Sequence, residues 1–292
     1  MTAVRVTVGI PFFDEAEHLA ASIRSVLAQT MGDLELILVD DGSRDASLAI
    51  ARGFGDPRVR VLTDGKRLGL PARLNQIVRE ARAPLVARMD GDDVIHPTRL
   101  AKQIRLLDEQ ASCDVVGTWV ALIDESEAPF AVSETALPAS PRTALVTGLI
   151  PHATMLARRE WLLAHPYDES LTRAEDRDLW CRTVGTTRIE VIAEPLYVVR
   201  VRSTRVDFLA DYLASQRQNR MIFLRHGPRL VGRASTWWAW LLAHAKGGVM
   251  RVASRTHAID RIVRRRGRLP TPSERAMIAE AILSGSGEKS PA

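Results

Sequence analysis

The chain has 292 residues, 46% hydrophobic and 26% charged, with a formal net charge of +5. That composition excludes a disordered chain and suffices for one large domain, or one domain with an extension. The two cysteines, Cys113 and Cys181, are too few for a disulfide framework, so a reducing compartment is the simpler reading.

The chain opens directly on a strand-like pattern, Val4–Pro11, without the basic start and apolar centre of a secretory signal. No apolar run reaches the roughly 18 residues of a membrane span, so a cytoplasmic protein is expected. Leu19, Ile23, Val26 and Leu27 recur at helical spacing within Glu17–Gln29. Leu34–Val39 reads as a second strand, ending in Asp40-Asp41-Gly42-Ser43, with Ser43 and Asp45 as candidate caps for a helix over Ala46–Arg52. Val59–Leu62 is a third strand, Pro71–Ala81 a helix, and Leu85–Met89 a fourth strand. Pro97 opens a helix to Glu109, a position where the missing N–H costs nothing. Repeated βα units predict an α/β fold, a mostly parallel, Rossmann-like sheet with helices on both faces.

The pattern loosens after the strand at Val115–Val120. Asp124–Pro141 reads as an irregular loop or short hairpin, Ala153–Ala157 as a strand, Glu175–Val184 as a helix and Ile189–Arg200 as extended. Beyond Ser203 only helices are predicted: Phe208–Arg225, Trp237–Lys246 and Pro272–Leu283, before a polar tail at Ser284–Ala292. The expected units are therefore a body over 1–202, a basic helical extension over 203–283 and a disordered tail over 284–292. Charge follows the same division. Residues 1–199 carry 22 Lys+Arg and 29 Asp+Glu, net −7; residues 200–292 carry 18 and 6, net +12. A tail of that sign suits an anionic partner, and Trp237-Trp238-Ala239-Trp240 beside arginines suits either a membrane interface or helix packing. No nucleic-acid module is recognisable, and none is expected to bind.

Three strand ends carry the chemistry. The first gives Pro11-Phe12-Phe13-Asp14-Glu15, the second Asp40-Asp41-Gly42-Ser43, the fourth Asp90-Gly91-Asp92-Asp93. Like charges this close repel, so something positive is expected among them. Hard divalent cations take oxygen ligands and bind phosphates through one or two carboxylates. Open α/β sheets place their ligands at this edge. Capping and turn chemistry explains one acidic loop, but three acidic strand ends are harder to explain that way.

These segments, in this order, resemble family-two glycosyltransferases, inverting enzymes of the GT-A fold. Pro11–Glu15 is similar to the family's opening motif, Leu38–Asp45 to its Val-Asp-Asp-Gly-Ser-x-Asp, and Leu68–Asn75 to its Gly-x-x-x-Ala-Arg-Asn. Asp90–Asp93 is similar to its Asp-x-Asp motif, Pro151–Thr154 to a later strand start, and Ala174–Trp180 to its Glu-Asp-x-Asp-Leu-Trp. The resemblance covers roughly residues 3–202. It implies a donor site in which Pro11, Phe13, Asp14, Glu15, Asp41 and Asp90 line the nucleoside pocket and Arg73 adds charge. Asp92 would ligate Mn²⁺ or Mg²⁺ against the diphosphate of a nucleotide-diphosphate sugar, UDP-type first. Asp176 would be the general base, with His152 and Glu175 on the acceptor side. The acceptor would be a saccharide or lipid-linked saccharide in surface-polymer or glycolipid synthesis, with peripheral membrane contact through the extension. One departure stands out: Arg202 occupies the place of the family's metal-side His and is expected to grip phosphate instead. Two rivals remain, a sugar nucleotidyltransferase and a non-catalytic nucleotide-sugar-binding scaffold. The first lacks its Gly-rich basic loop here, and a dehydrogenase lacks Gly-x-Gly-x-x-Gly.

Overall fold

The computed structural model describes residues 3–135, 140–201, 205–255 and 267–287, with side chains undescribed at 205–212 and 251–255. Arg202 therefore lies outside the described residues. The first half runs β1 (Val6–Phe12), α1 (Leu19–Leu27), β2 (Leu34–Asp40), α2 (Ser47–Arg52), β3 (Val59–Thr63), α3 (Leu70–Glu80), β4 (Leu85–Arg88), β5 (Val94–Ile95) and α4 (Arg99–Glu109). The second runs β6 (Val115–Ile123), β7 (Pro129–Ser133), α5 (Pro141–Val146), a 3-10 turn (His152–Thr154), β8 (Leu156–Arg158), α6 (Arg159–Ala164), α7 (Glu175–Thr183) and β9 (Ile189–Arg200). Among the described residues three helices follow: α8 (Arg205–Leu230), α9 (Arg233–Arg255) and α10 (Pro272–Ser286).

One sheet takes the order β3-β2-β1-β4-β8-β6-β9-β5, with β7 beside β6. The first four strands in that order are parallel, as the βα units require. β1 lies between β2 and β4, so the three acidic strand ends share one edge. Beyond β4 the sheet is mixed. β8 runs antiparallel to both β4 and β6, β9 runs parallel to β6, and the two-residue β5 is antiparallel to β9. Those pairings join segments distant in sequence, which periodicity does not register. Strand β8 also begins later than expected, because His152–Thr154 forms a 3-10 turn. The hairpin allowed for in 124–141 is β6–β7.

Every residue of β1 and of β2 is buried, as befits parallel strands covered on both faces. Period-two alternation sends Val6, Val8, Ile10 and Phe12 towards α1 and α4, with Leu34, Leu36 and Leu38 on that same side. Ile37 and Val39 pack instead with Leu74, Ile77 and Val78 of α3.

The C-terminal helices divide their work. α8 and α9 pack on each other and reach α5 and α7 through Ile222, Phe223 and Ala243. α10 returns across the body, starting from a Thr271–Glu274 capping box. Its Ile278 and Ala281 pack with Val94, Ala121, Ile123 and Val198. The helix reaches Ser286 and stops at Gly287 in the left-handed region (φ 79°), so Ser284–Ser286, which composition suggests as tail, are ordered in it. Ile278 is fully buried. Ile278→Ala is expected to lower the unfolding free energy by about 2–5 kcal/mol, read by denaturant titration.

Candidate active site

The carboxyl edge of the sheet opens into a cleft of about 820 Å³. Phe13 and Glu15 line it from the end of β1, Asp90 from the end of β4, His152 from the 3-10 turn, and Glu175 and Asp176 from the first turn of α7. Of the residues the sequence points to, these six are brought together on its wall. Pro11, Asp14, Asp41, Arg73 and Asp92 are not in its lining.

The reasons differ by residue. Asp14 takes a left-handed conformation (φ 52°), and its carboxylate accepts the Arg44 N–H at 2.7 Å. Its own N–H donates to Ser43 Oγ (3.2 Å), the Glu15 N–H to Ser47 Oγ (2.7 Å), and the Ala16 N–H to Asp45 Oδ2 (2.9 Å). Ser43 and Asp45 thus latch the β1 loop to the β2 loop. Asp45 still serves α2 by accepting the Ser47 N–H at 2.9 Å. Gly42 turns the chain at φ 80°, where a Cβ would come within 3.2 Å of the Lys66 backbone.

Arg73, expected near the nucleotide, is 1% exposed and bonded within the protein. Its Nε donates to Asp41 at 2.9 Å, and its terminal nitrogens donate to Asp64 (2.7 Å), Gln76 (2.8 Å) and the Lys66 carbonyl. Asp41 also accepts from Leu68 N–H (2.8 Å) and Gly69 N–H. The guanidinium holds the Asp64 carboxyl down to about 2 and ties the β3–α3 loop to the end of β2. It has no donor to spare for a ligand.

At the end of β4, Arg88 donates to Asp90 at 2.7 Å. Burial would lower the Arg88 guanidinium, but Asp90 and its neighbours outweigh that and raise it. Asp93 is buried and accepts the Arg200 N–H at 3.0 Å. Burial pushes its carboxyl well above the usual range, and Asp92 and Asp90 push the same way. Among the described residues, no three His, Cys, Asp or Glu side chains form a group able to hold a metal ion. A hard cation would therefore fit the Asp90–Asp93 turn only with one or two carboxylates and the oxygens of a bound diphosphate to complete its shell.

On the opposite wall, Ala174 introduces α7 in the left-handed region (φ 62°), a strain of the kind found at functional sites. This tight entry aims Glu175 and Asp176 into the cleft. Burial alone would raise the Glu175 carboxyl, but the His152 ring, with Nδ1 3.5 Å from Glu175 Oε1, more than offsets this and holds it below the usual range. His152 Nε2 in turn meets the Tyr167 hydroxyl at 2.8 Å. Asp178, one turn along, is bound by His226 Nε2 (2.7 Å) and Arg182 (2.7 Å), which fixes α7 against α8. Trp180 is fully buried in the core.

Three arginines line the cleft that sequence reasoning passed over: Arg67, Arg88 and Arg173. Arg67 lies over the Phe13 ring at 3.6 Å. The cleft is thus mixed in charge rather than acidic throughout. Isolated loop arginines give no periodic or spacing signal, so only the fold reveals them.

The architecture is that of the GT-A glycosyltransferases. It matches the crystal structure of S. aureus TarS 1-349 in complex with UDP, with TM-score 0.58 and 21% identity over 81% of this chain and 69% of that one. It also matches the mannosyltransferase PcManGT from Pyrobaculum calidifontis in complex with GDP-Man and Mn²⁺, with TM-score 0.62 and 15% identity over 98% and 87%. The chain belongs to glycosyl transferase family 2, whose sequence model matches residues 7–162. It is 33% identical over 187 residues to EpsE of Bacillus subtilis (strain 168), a protein named as a glycosyltransferase; the match covers 61% of this chain and 66% of EpsE.

Arg73→Met is expected to cost about 3 kcal/mol of stability, since it leaves Asp41 buried without its cation. Nucleotide affinity of the folded variant should stay within about threefold, and a selective loss of affinity at unchanged stability would place Arg73 on the donor. The Glu175 shift has a definite sign. Its folded pKa lies below 4.5, so its contribution is complete above pH 4.5 and is lost as pH falls through the folded value. Below pH 4.5 the wild type should lose stability more steeply than Glu175→Gln in acid-unfolding curves.

Proposed function

We propose that this chain is an inverting glycosyltransferase that moves a sugar from a nucleotide-diphosphate donor to an acceptor hydroxyl. One observation carries the reading: Asp176 shares a single cleft with Phe13, Glu15 and Asp90, so a base stands across from the donor edge of the sheet. Asp176 takes the proton from the acceptor hydroxyl. The acceptor oxygen bonds to the anomeric carbon while the carbon–oxygen bond to the diphosphate breaks, and its electron pair leaves with the phosphate. Attack opposite the leaving group inverts the centre.

Phe13 and Arg67 offer a stacking platform for the base. Asp14, Asp41 and Pro11 act at one remove, by shaping the loop that forms the pocket. Arg173 lines the cleft where a diphosphate can reach it, and Arg88 acts from beneath by holding Asp90. Asp92, with Asp90, would share a Mn²⁺ or Mg²⁺ ion with the diphosphate. Such an ion, when bound, would supply positive charge against the leaving diphosphate. The Mn²⁺ and GDP-Man in the PcManGT structure and the UDP in the TarS structure support a divalent ion and a nucleotide donor, with UDP-type donors first to test.

Acceptors would be saccharides or lipid-linked saccharides for a surface polymer or glycolipid. Among the described residues no helix is long and apolar enough to cross a membrane. Exposed Trp237, Trp238, Leu241 and Val249 on the basic extension suit peripheral contact with an anionic bilayer at its cytoplasmic face. The body 1–202 would carry catalysis, and the basic extension would carry acceptor and membrane contacts.

Asp176→Asn should lower sugar transfer by about 10²–10⁴-fold while leaving donor binding intact, read as the thermal shift produced by nucleotide sugar with Mn²⁺. Full transfer activity in that variant would remove Asp176 from the role of base.

A further inference from the structure

A second cavity, about 380 Å³, lies between α5, α7, α8 and α9. That volume falls in the range of about 300–1,000 Å³ typical of small-molecule sites. Its floor is apolar: Leu145, Phe223, Val231, Ala239, Leu242 and Ala243. Its polar members include three cations, Arg142, Arg177 and Lys246, and no carboxylate appears in its lining among the described residues. Arg142 and Lys246 are exposed at the rim. Arg177 lies over the Phe223 ring at 5.9 Å, and burial pulls its guanidinium below the usual range. Asn219, only 7% exposed, lines the same cavity.

The cavity is not isolated from the cleft. On α7, Asp176 lines the cleft and Arg177 the cavity; on α8, Ser215 lines the cleft and Gln216 the cavity. One wall, a helix thick, separates them. Outside, Trp238 and Leu242 continue into the exposed apolar stripe of Trp237, Leu241 and Val249.

We propose that this cavity binds the lipid-phosphate anchor of the acceptor. The hydrocarbon chain lies on the apolar floor, the phosphate meets Arg142, Arg177 and Lys246, and the attached sugar passes over the α7 wall to Asp176. An apolar floor alone would suit any hydrophobic group. Three cations with no carboxylate among the described lining residues select an anion, and the several oxygens of a phosphate can meet all three at once, which a single carboxylate cannot. The assignment rests on the glycosyltransferase reading for its acceptor, but the binding it predicts is independent of turnover.

The test uses the full chain and decyl phosphate as probe, with binding followed by tryptophan fluorescence and calorimetry. Saturable binding is expected, with inorganic phosphate and decanol each binding at least about tenfold more weakly because each satisfies only half of the site. Ala239→Trp, which fills the floor, should abolish binding. The double rim variant Arg142→Gln/Lys246→Gln, exposed and safe for folding, should weaken it about tenfold and reduce its salt dependence. Thermal shift by nucleotide sugar should be unchanged in the rim variant, so a failure of donor binding and a failure of this site are separately visible. Equal affinity for decyl phosphate in wild type and rim variant overturns the proposal, as does equal affinity for decanoate.

Discussion

The edge of the sheet where the cleft opens depends on a buried charge cluster beneath it. Arg88, Arg99, Asp93 and Tyr197 are all nearly inaccessible, and Asp90 closes the group at the surface. Charges taken out of water must be matched locally or they destabilise the fold. Arg88 is matched by Asp90. The Tyr197 ring lies 5.0 Å under Arg99, and its hydroxyl accepts the Asp90 N–H at 3.0 Å and bonds the Asp93 carboxyl. Arg99 donates to the carbonyls of Arg88 (3.1 Å) and Ala153 (3.3 Å), and burial pulls its guanidinium down to about 10. One residue from each of several elements is committed: β4, its following turn, α4, β9 and the 3-10 turn. The carboxylates of 90–93 therefore have little freedom to move relative to His152 and the α7 wall.

The two walls of the cleft are secured by different physics. The β1 and β2 loops are sewn together by short polar contacts between Asp14, Ser43, Arg44 and Asp45, with Asp41 and Arg73 anchoring the loop beyond. The α7 wall is held from behind by Asp178 and His226, with hydrophobic contacts from Leu145, Cys181 and Ile222. The wall built from the sheet edge is thus fixed within the body, whereas the α7 wall takes its position from the C-terminal helices.

Much of this was legible in the residues. The βα alternation to Glu109 placed eight elements within a few residues of their observed ends, because amphipathic period and turn chemistry are local. The shared edge of the three acidic strand ends followed from the same topology. The mixed half of the sheet was not legible: β5 is two residues long, and β8 is three. Arg73 shows the other limit. Its motif marks it as important, but only three-dimensional contacts reveal that Asp41 and Asp64 occupy it. Arg67, Arg88 and Arg173 reach the cleft from unrelated segments, and no spacing rule could have gathered them.

The return of α10 has a consequence for how the chain is made. His96 Nε2 meets Glu280 across a sequence separation of 184, and Ile278 packs with Val94, Ala121, Ile123 and Val198. While synthesis proceeds from the N-terminus, those side chains lack the cover of α10 until that helix has left the ribosome. Contacts of such long range slow folding and leave adhesive surface exposed meanwhile. The sheet edge at β5 and β9 thus stays an adhesive surface on the nascent protein until α10 docks.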